Sequence, residues 1–269
     1  MTVFIQVKKE DLQKLLKNGF VKEAVKTIHE EVRLKKEGVN AVLYTSGKLL
    51  LQGHKGDLKQ VEDLLVRLGI GEKEPGFKFW AEDGWVIGSD ESLKGDTFGG
   101  LVVAAVKADK KIRQELIAIG VADSKTLQDK EIFPLAEKIK KIAPCEVKSV
   151  FPEEYNRYST VTNLLNKLHL ECATYLAPGT HIVDKYPGCA VGNIQEEKAD
   201  SKYAEVAAAS ILARAGALEQ LNFLSAQAGF QLPKGSTHVK EALMELKKRG
   251  ADFKKFVKMD FRNVQEFLS

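Results

Sequence analysis

Cysteine is scarce in this chain: Cys145, Cys172 and Cys189 are the only three among 269 residues. An odd number at such separations builds neither a disulfide framework nor a zinc knuckle, so reduced thiols are expected. His29, His54, His169, His181 and His238 lack the H-E-x-x-H spacing of helical zinc sites. Long apolar runs are missing too, since nothing approaches the roughly 18 residues that span a bilayer. Ser210 has no Gly-x-Ser-x-Gly elbow around it, and Gly95-Asp96-Thr97-Phe98-Gly99-Gly100 is not a Walker loop. The opening segment MTVFIQVKKEDLQKLL shows neither a secretory nor a transit pattern. A cytoplasmic protein without a membrane partner, acting as a monomer, is the expectation.

What the composition offers is material for a core, with 44% hydrophobic and 29% charged residues. That balance argues against disorder, and the length suits two domains of unequal size. The formal net charge is +4, and residues 1–72 hold 13 Lys/Arg against 10 Asp/Glu. The basic excess therefore lies in the first quarter, while the remainder is nearly balanced. A chain that binds phosphate with one part and does carboxylate chemistry with another would be distributed this way.

Thr2–Val7 alternates as a short strand, Leu12, Leu15 and Leu16 begin a helical stripe, and Val21–Leu34 is expected as a second amphipathic helix. Ala41–Tyr44 and Leu49–Gln52 read as strands joined by a turn at Thr45-Ser46-Gly47-Lys48. Val61, Leu64, Leu65 and Leu68 share one helical face. Together these predict a small α+β domain over residues 1–70. The Gly- and Pro-rich stretch around residues 71–80 is the expected linker, with a second domain over 81–269. There Trp85–Gly88, Leu101–Val106, Glu146–Phe151 and His181–Val183 read as strands. Helices are expected at Gln128–Ile142, at Val161–Leu176 and from near Ser201 onward, with further helical segments to the C-terminus. The run LVVAAV is apolar throughout, as in a strand buried on both faces. The expected class is α/β, a mixed sheet flanked by helices, preceded by the α+β domain.

Four acids stand where apolar elements end. Asp90 and Glu91 follow one expected strand, Asp184 ends another, and Asp200 precedes the Ala-rich helix. Carboxylates in such places are costly unless paired or bound to a cation. Hard divalent ions prefer oxygen ligands, and two of them about 4 Å apart suit phosphodiester hydrolysis. Spacing alone leaves other readings open: Asp200 also fits a helix N-cap region, and Asp184 the start of a turn. Neighbouring Asp90 and Glu91 point to opposite faces of a strand, so sharing a metal site calls for a backbone bend there.

Gly88-Ser89-Asp90-Glu91 with Gly95-Asp96-Thr97-Phe98-Gly99, then Asp123-Ser124-Lys125, His181-Ile182-Val183-Asp184 and Lys198-Ala199-Asp200-Ser201-Lys202-Tyr203, resemble in order the motifs of the HII/HIII group of ribonucleases H. Tyr44-Thr45-Ser46-Gly47-Lys48 with Leu51-Gln52-Gly53 is similar to the N-terminal domain of the HIII subfamily, which itself resembles half of a TATA-box-binding protein. Leu232-Pro233-Lys234-Gly235 is HIII-like as well. The resemblance implies a ribonuclease H-like fold and an endonuclease that cuts the RNA strand of an RNA/DNA hybrid, leaving 5′-phosphate and 3′-hydroxyl ends. It implies that Asp90, Glu91, Asp184 and Asp200 are catalytic and hold Mg²⁺ or Mn²⁺. Substrate contacts are implied for Tyr44, Lys48, Gln52, Lys94, Gly95, Ser124, Lys125 and Lys202.

Two departures stand out. Ser92-Leu93-Lys94-Gly95 replaces a glycine-rich stretch, which hinders close backbone approach to a 2′-hydroxyl at Leu93. Asp200 stands where many HIII members carry Glu. An HII-like enzyme that also incises at single ribonucleotides, and a noncatalytic nucleic-acid-binding protein, are the alternative readings.

Overall fold

The structure, a computed structural model, describes residues 2–73, 79–121 and 127–269. The chain divides into two compact units, residues 1–77 and 78–269.

In the first unit, β1 (Thr2–Ile5), α1 (Leu12–Lys17), β2 (Val21–Glu23), β3 (Glu30–Lys36), β4 (Val39–Tyr44), β5 (Leu49–Gln52), α2 (Lys55–Leu68) and β6 (Glu72–Lys73) follow one another. The strands form an antiparallel sheet in the order β2-β3-β4-β5-β1-β6. Leu12, Leu15, Leu58, Val61 and Leu65 of the two helices share a core with Phe4, Leu34, Ala41, Leu43, Leu49 and Leu51 of the sheet. The β4–β5 hairpin turns where the sequence indicated, with Gly47 at φ 76°.

One expectation is corrected here. Val21–Leu34 is not a helix but contributes β2 and β3. Its apolar stripe has nothing to cover: Val21, Val25 and Ile28 are 62%, 50% and 90% exposed. Leu34 is instead fully buried, opposite Ala41 in the β3–β4 ladder. Glu37 and Gly38, at φ 44° and 82°, make the tight two-residue turn that closes this hairpin. Long pairing with β4 overrides a weak local helical period.

The second unit contains β7 (Val86–Ser92), β8 (Leu101–Ala108), α3 (Lys110–Ala118), α4 (Asp129–Ile142), β9 (Cys145–Val150), α5 (Pro152–Tyr155), α6 (Val161–Leu176), β10 (Thr180–Asp184), β11 (Ile194–Glu196), α7 (Ala204–Ala228), α8 (Lys240–Lys248) and α9 (Arg262–Leu268). Its sheet order is β11-β10-β7-β8-β9, with β7, β10 and β11 parallel and β8 antiparallel to both its neighbours. Strand β8 is buried on both faces. Val102, Ala104 and Val106 pack with α7, whereas Leu101, Val103 and Ala105 pack with α6. The result is three layers, helix–sheet–helix, as the fold class requires.

Gly88 shows why a residue without a side chain stands in β7. A Cβ there would lie 2.4 Å from the Val206 nitrogen and 2.5 Å from the Glu205 carbonyl carbon. The first turn of α7 therefore presses against the strand two residues before Asp90. Behind this crossing, Glu205 is fully buried and pairs with Arg113 of α3 at 2.6 Å. Burial raises the Glu205 pKa despite that partner.

Candidate active site

Strand alternation distributes Ser89, Asp90 and Glu91. Gly88 faces α7, so Asp90 does as well, while Ser89 and Glu91 reach His169 of α6. The backbone bend expected here does not take the form of a bulge. β7 keeps its register against β8 from Val86 to Ser92, with Asp90 opposite Ala104 and Glu91 opposite Val103. The two acids also lie inside the strand rather than after it. Pairing with β8 runs unbroken through both acids, whereas pairing with β10 stops at Ser89. The two side chains leave by opposite faces, and the Asp90 carboxyl turns back along the strand to accept from the Glu91 amide at 2.8 Å.

β10 runs parallel to β7 and ends on Asp184, so the carboxyl ends of neighbouring strands carry the acids together. Asp184 Oδ1 accepts a hydrogen bond from the Ala199 amide at 2.8 Å. That bond ties the third acid to the short turn Ala199–Ser201, which holds Asp200. Lys198 enters this turn in the left-handed region at φ 56°, and Ser201 Oγ donates to its carbonyl at 2.7 Å. Tyr203, not Asp200, occupies the N-cap of α7.

Asp90 is 7% exposed, and its carboxyl pKa is raised well above the ordinary range. Burial is the main cause, and the charges of Glu91, Asp184 and Asp200 add to it, against one bond from the Glu91 amide. Three acids thus act electrostatically on the fourth, a placement that disfavours its ionised form.

Glu91 has the opposite surroundings. Burial raises its pKa, but His169 and Lys94 more than offset this, and it lies below its ordinary value. Lys94 Nζ stands 2.9 Å from Oε1, and His169 Nε2 3.4 Å from Oε2. Beneath them, Ser89 Oγ lies 2.7 Å from His169 Nδ1 and 2.8 Å from His181 Nε2. All three are buried, and His181 is pulled down to about 4 by burial and by His169. Sequence reasoning missed this chain. It joins residues 80 and 92 positions apart, and no spacing signals that.

The remaining implied contacts fall in separate places. Lys94 and exposed Gly95 belong to the loop after β7. Lys202 pairs with Glu196 and lies over the ring of Trp80, 5.2 Å from its centroid. Tyr44, Lys48 and Gln52 sit at the β4–β5 hairpin of the first unit, where the Tyr44 amide donates to the Lys48 carbonyl at 2.9 Å. Ser124 and Lys125 lie outside the described residues.

The donor set around Asp90 is all oxygen, which fits Mg²⁺ or Mn²⁺ and not zinc. Buried Glu91 Oε2 has His169 Nε2 beside it at 3.4 Å but makes no well-formed hydrogen bond, so it keeps acceptor capacity for a cation. Among the described residues, no three acids already close into a finished ligand shell. The residues fit a divalent cation in charge and chemistry.

Residues 87–264 match the protein family described as Ribonuclease HII. Among curated relatives, Ribonuclease HIII of Streptococcus agalactiae serotype Ia is 31% identical over 228 residues, covering 75% of this chain and 74% of its own. Among solved structures, Bst ribonuclease HIII in complex with Mn²⁺ agrees with a TM-score of 0.64 at 26% identity, over 100% of this chain and 98% of that one. Ribonuclease H2 of Pyrococcus horikoshii OT3 reaches a TM-score of 0.61 at 27% identity, over 97% of its own length but 68% of this chain. With the catalytic fold shared by both groups and full-length agreement found with the HIII proteins, the chain belongs to the ribonuclease HII/HIII family of ribonucleases H, on its ribonuclease HIII branch.

Proposed function

We propose that this ribonuclease H is an endonuclease that hydrolyses the RNA strand of RNA/DNA hybrids with two divalent ions, leaving 5′-phosphate and 3′-hydroxyl ends. The observation that carries the metal site is Asp90, a buried carboxyl whose ionised form is disfavoured by burial and by the charges of Glu91, Asp184 and Asp200. Two Mg²⁺ or Mn²⁺ ions there would supply an activated water and neutralise charge on the leaving oxygen. Asp90, Glu91, Asp184 and Asp200 would hold them. Lys94 and His169 keep Glu91 ionised and aimed. The Asp184–Ala199 bond sets where Asp200 stands.

Residues 1–70 serve, in this reading, as a substrate-binding domain resembling half of a TATA-box-binding protein, joined by the segment 71–80 to a catalytic domain over 81–269. Tyr44, Lys48 and Gln52 would touch the hybrid there, and the basic excess of this region would add salt-sensitive phosphate attraction. Lys94, Gly95, Ser124, Lys125 and Lys202 would contact the strands around the cleavage site. A labelled RNA/DNA hybrid, tested with and without Mg²⁺ beside RNA duplex, DNA duplex and a DNA duplex holding one ribonucleotide, decides the matter. Metal-dependent cutting confined to the hybrid is expected. Comparable kcat/KM on the single-ribonucleotide duplex would replace this reading with an HII-like one, and no cutting at all would leave a binding protein.

A further inference from the structure

The C-terminal segment between α8 and α9 carries a lysine with no accessible surface at all, Lys258. Its ammonium donates to three backbone carbonyls, those of Leu93 at 2.8 Å, Asp96 at 2.5 Å and Gly99 at 3.0 Å. The rings of Tyr155 and Phe261 flank it, with centroids 5.3 Å and 5.1 Å away. All three acceptors belong to the loop that leaves β7 after Ser92, the residue next to Glu91.

We infer that Lys258 is a positioning residue for strand selection, pinning the Leu93–Gly99 loop in the shape that lets it favour an RNA-containing strand. The inference rests on the hybrid-cleaving function proposed above and adds to it a residue far from the acids in sequence.

The loop needs such a pin. Leu93 adopts φ 67°, a left-handed conformation that a residue with a Cβ adopts at a cost. The resemblance places glycine-rich backbone here, and glycine would hold this turn without strain. In this chain Leu93 instead buries its side chain in the α7 core, and the loop carbonyls converge inward. Three converging carbonyls repel one another and are costly to bury unsatisfied. Protonated lysine alone among side chains brings three N–H donors on one atom, matching the three acceptors. Burial lowers the Lys258 pKa to about 7, against the charges of Asp96 and Asp260. Because the peptide unit is planar and trans, turning the Leu93 carbonyl toward Lys258 turns the Lys94 amide the other way. The same residue's ammonium contacts Glu91, so the pinned loop also meets the catalytic pair.

Other bonds from the C-terminal region close the clamp. The Lys258 amide donates to the Thr97 carbonyl at 3.1 Å and the Gly99 amide to the Phe256 carbonyl at 3.0 Å. Asn263 Nδ2 donates to Thr97 Oγ1 at 2.7 Å from the rim. A cavity of about 300 Å³ lies along the loop, lined by Leu93 and Asp96 and by Asp129, Arg214 and Lys234. Moving the loop would reshape that wall.

The test uses the full-length protein with Lys258→Met, Lys258→Gln and the gentler Asn263→Ala. Steady-state kcat and KM are measured on a continuous hybrid, with an all-DNA duplex of the same sequence as competitor. Misplacement of about 1 Å can cost up to about a hundredfold, so KM for the hybrid should rise at least about tenfold in both Lys258 variants. The inhibition constant of the DNA duplex and the Mg²⁺ dependence of kcat should stay within about threefold of the unaltered protein. Asn263→Ala should shift the same ratio in the same direction by a smaller factor.

An unchanged ratio of KM to DNA inhibition constant in a variant that melts cooperatively would reduce Lys258 to a core residue and overturn the inference. A fall in kcat with altered Mg²⁺ dependence and unchanged KM would overturn it as well, assigning the lysine to the acids. If neither Lys258 variant folds, Asn263→Ala decides, and no change in its ratio overturns the inference. Failure of the unaltered protein to prefer the hybrid would refute the proposed function itself, a different outcome from any of these.

Discussion

Replacing Asp90 with Asn separates what the acid cluster does for folding from what it does for chemistry. Asn has nearly the same volume, and its Oδ1 can still accept the Glu91 amide now bonded at 2.8 Å, so no cavity and no lost backbone bond are expected. What disappears is one buried charge held against three others. A raised folded-state pKa means that ionising Asp90 opposes folding. Its stability contribution is fully present below the unfolded carboxylate pKa and is lost as pH rises through the higher folded value. Removing the charge that burial and the neighbouring acids disfavour should therefore make Asp90→Asn more stable than the unaltered protein at neutral pH. The advantage should vanish in acid. Melting in EDTA between pH 4 and pH 8 measures it. Divalent ions should reverse the order, stabilising the unaltered protein by mass action and the variant far less. Hybrid cleavage should fall at least about a thousandfold, the loss of several kcal/mol of charge stabilisation. A variant that is less stable in EDTA at pH 8, or that retains a tenth of the activity, would refute the placement of the metal site around Asp90.

Gly88→Ala should cost at least about 2 kcal/mol, because a Cβ 2.4 Å from the Val206 nitrogen forces α7 off the strand. Chemical denaturation checks it, and an unchanged midpoint would contradict the close crossing. Arg113→Met should leave Glu205 buried without its partner and cost about 3–5 kcal/mol. Burial already raises the Glu205 pKa, and removing the cation raises it further. Stability is then kept below the unfolded pKa and lost as pH rises, so denaturation at pH 8 should show a larger deficit than at pH 5. Deleting residues 1–70 should raise KM for the hybrid and flatten its salt dependence while changing kcat little, since that region holds most of the net positive charge. Equal KM and salt slope with and without the region would deny it a role in binding.

Much of the architecture was legible in the chain because it depends on local patterning. The apolar run Leu101–Val106 announced a strand covered on both faces, and β8 is packed between α6 and α7. Val161–Leu176 was legible end to end, with Thr160 capping its first turn through a bond from the Asn163 amide. The hairpin at Thr45–Lys48 was legible from Ser-Gly-Lys between two apolar strands. Local period misled only where a long-range ladder competed, as at Val21–Leu34, whose apolar stripe finds no core to cover.

Each of the four acids was visible as the end of an apolar element, but taken singly none was specific, and the resemblance to the ribonuclease HII/HIII group joined them. Their arrangement was not visible. Strand register decides that Asp90 and Glu91 leave opposite faces of β7, and parallel pairing with β10 brings Asp184 to the same end of the sheet. Farther still from any local signal are the Ser89–His169–His181 chain and Lys258, whose bond to the Leu93 carbonyl spans 165 positions. Sequence alone determined which residues are apolar, where the backbone can turn, and which side chains can bear charge. Only the tertiary structure decided which charges meet and which are buried, because water exclusion and pairing arise from segments distant in the chain coming together.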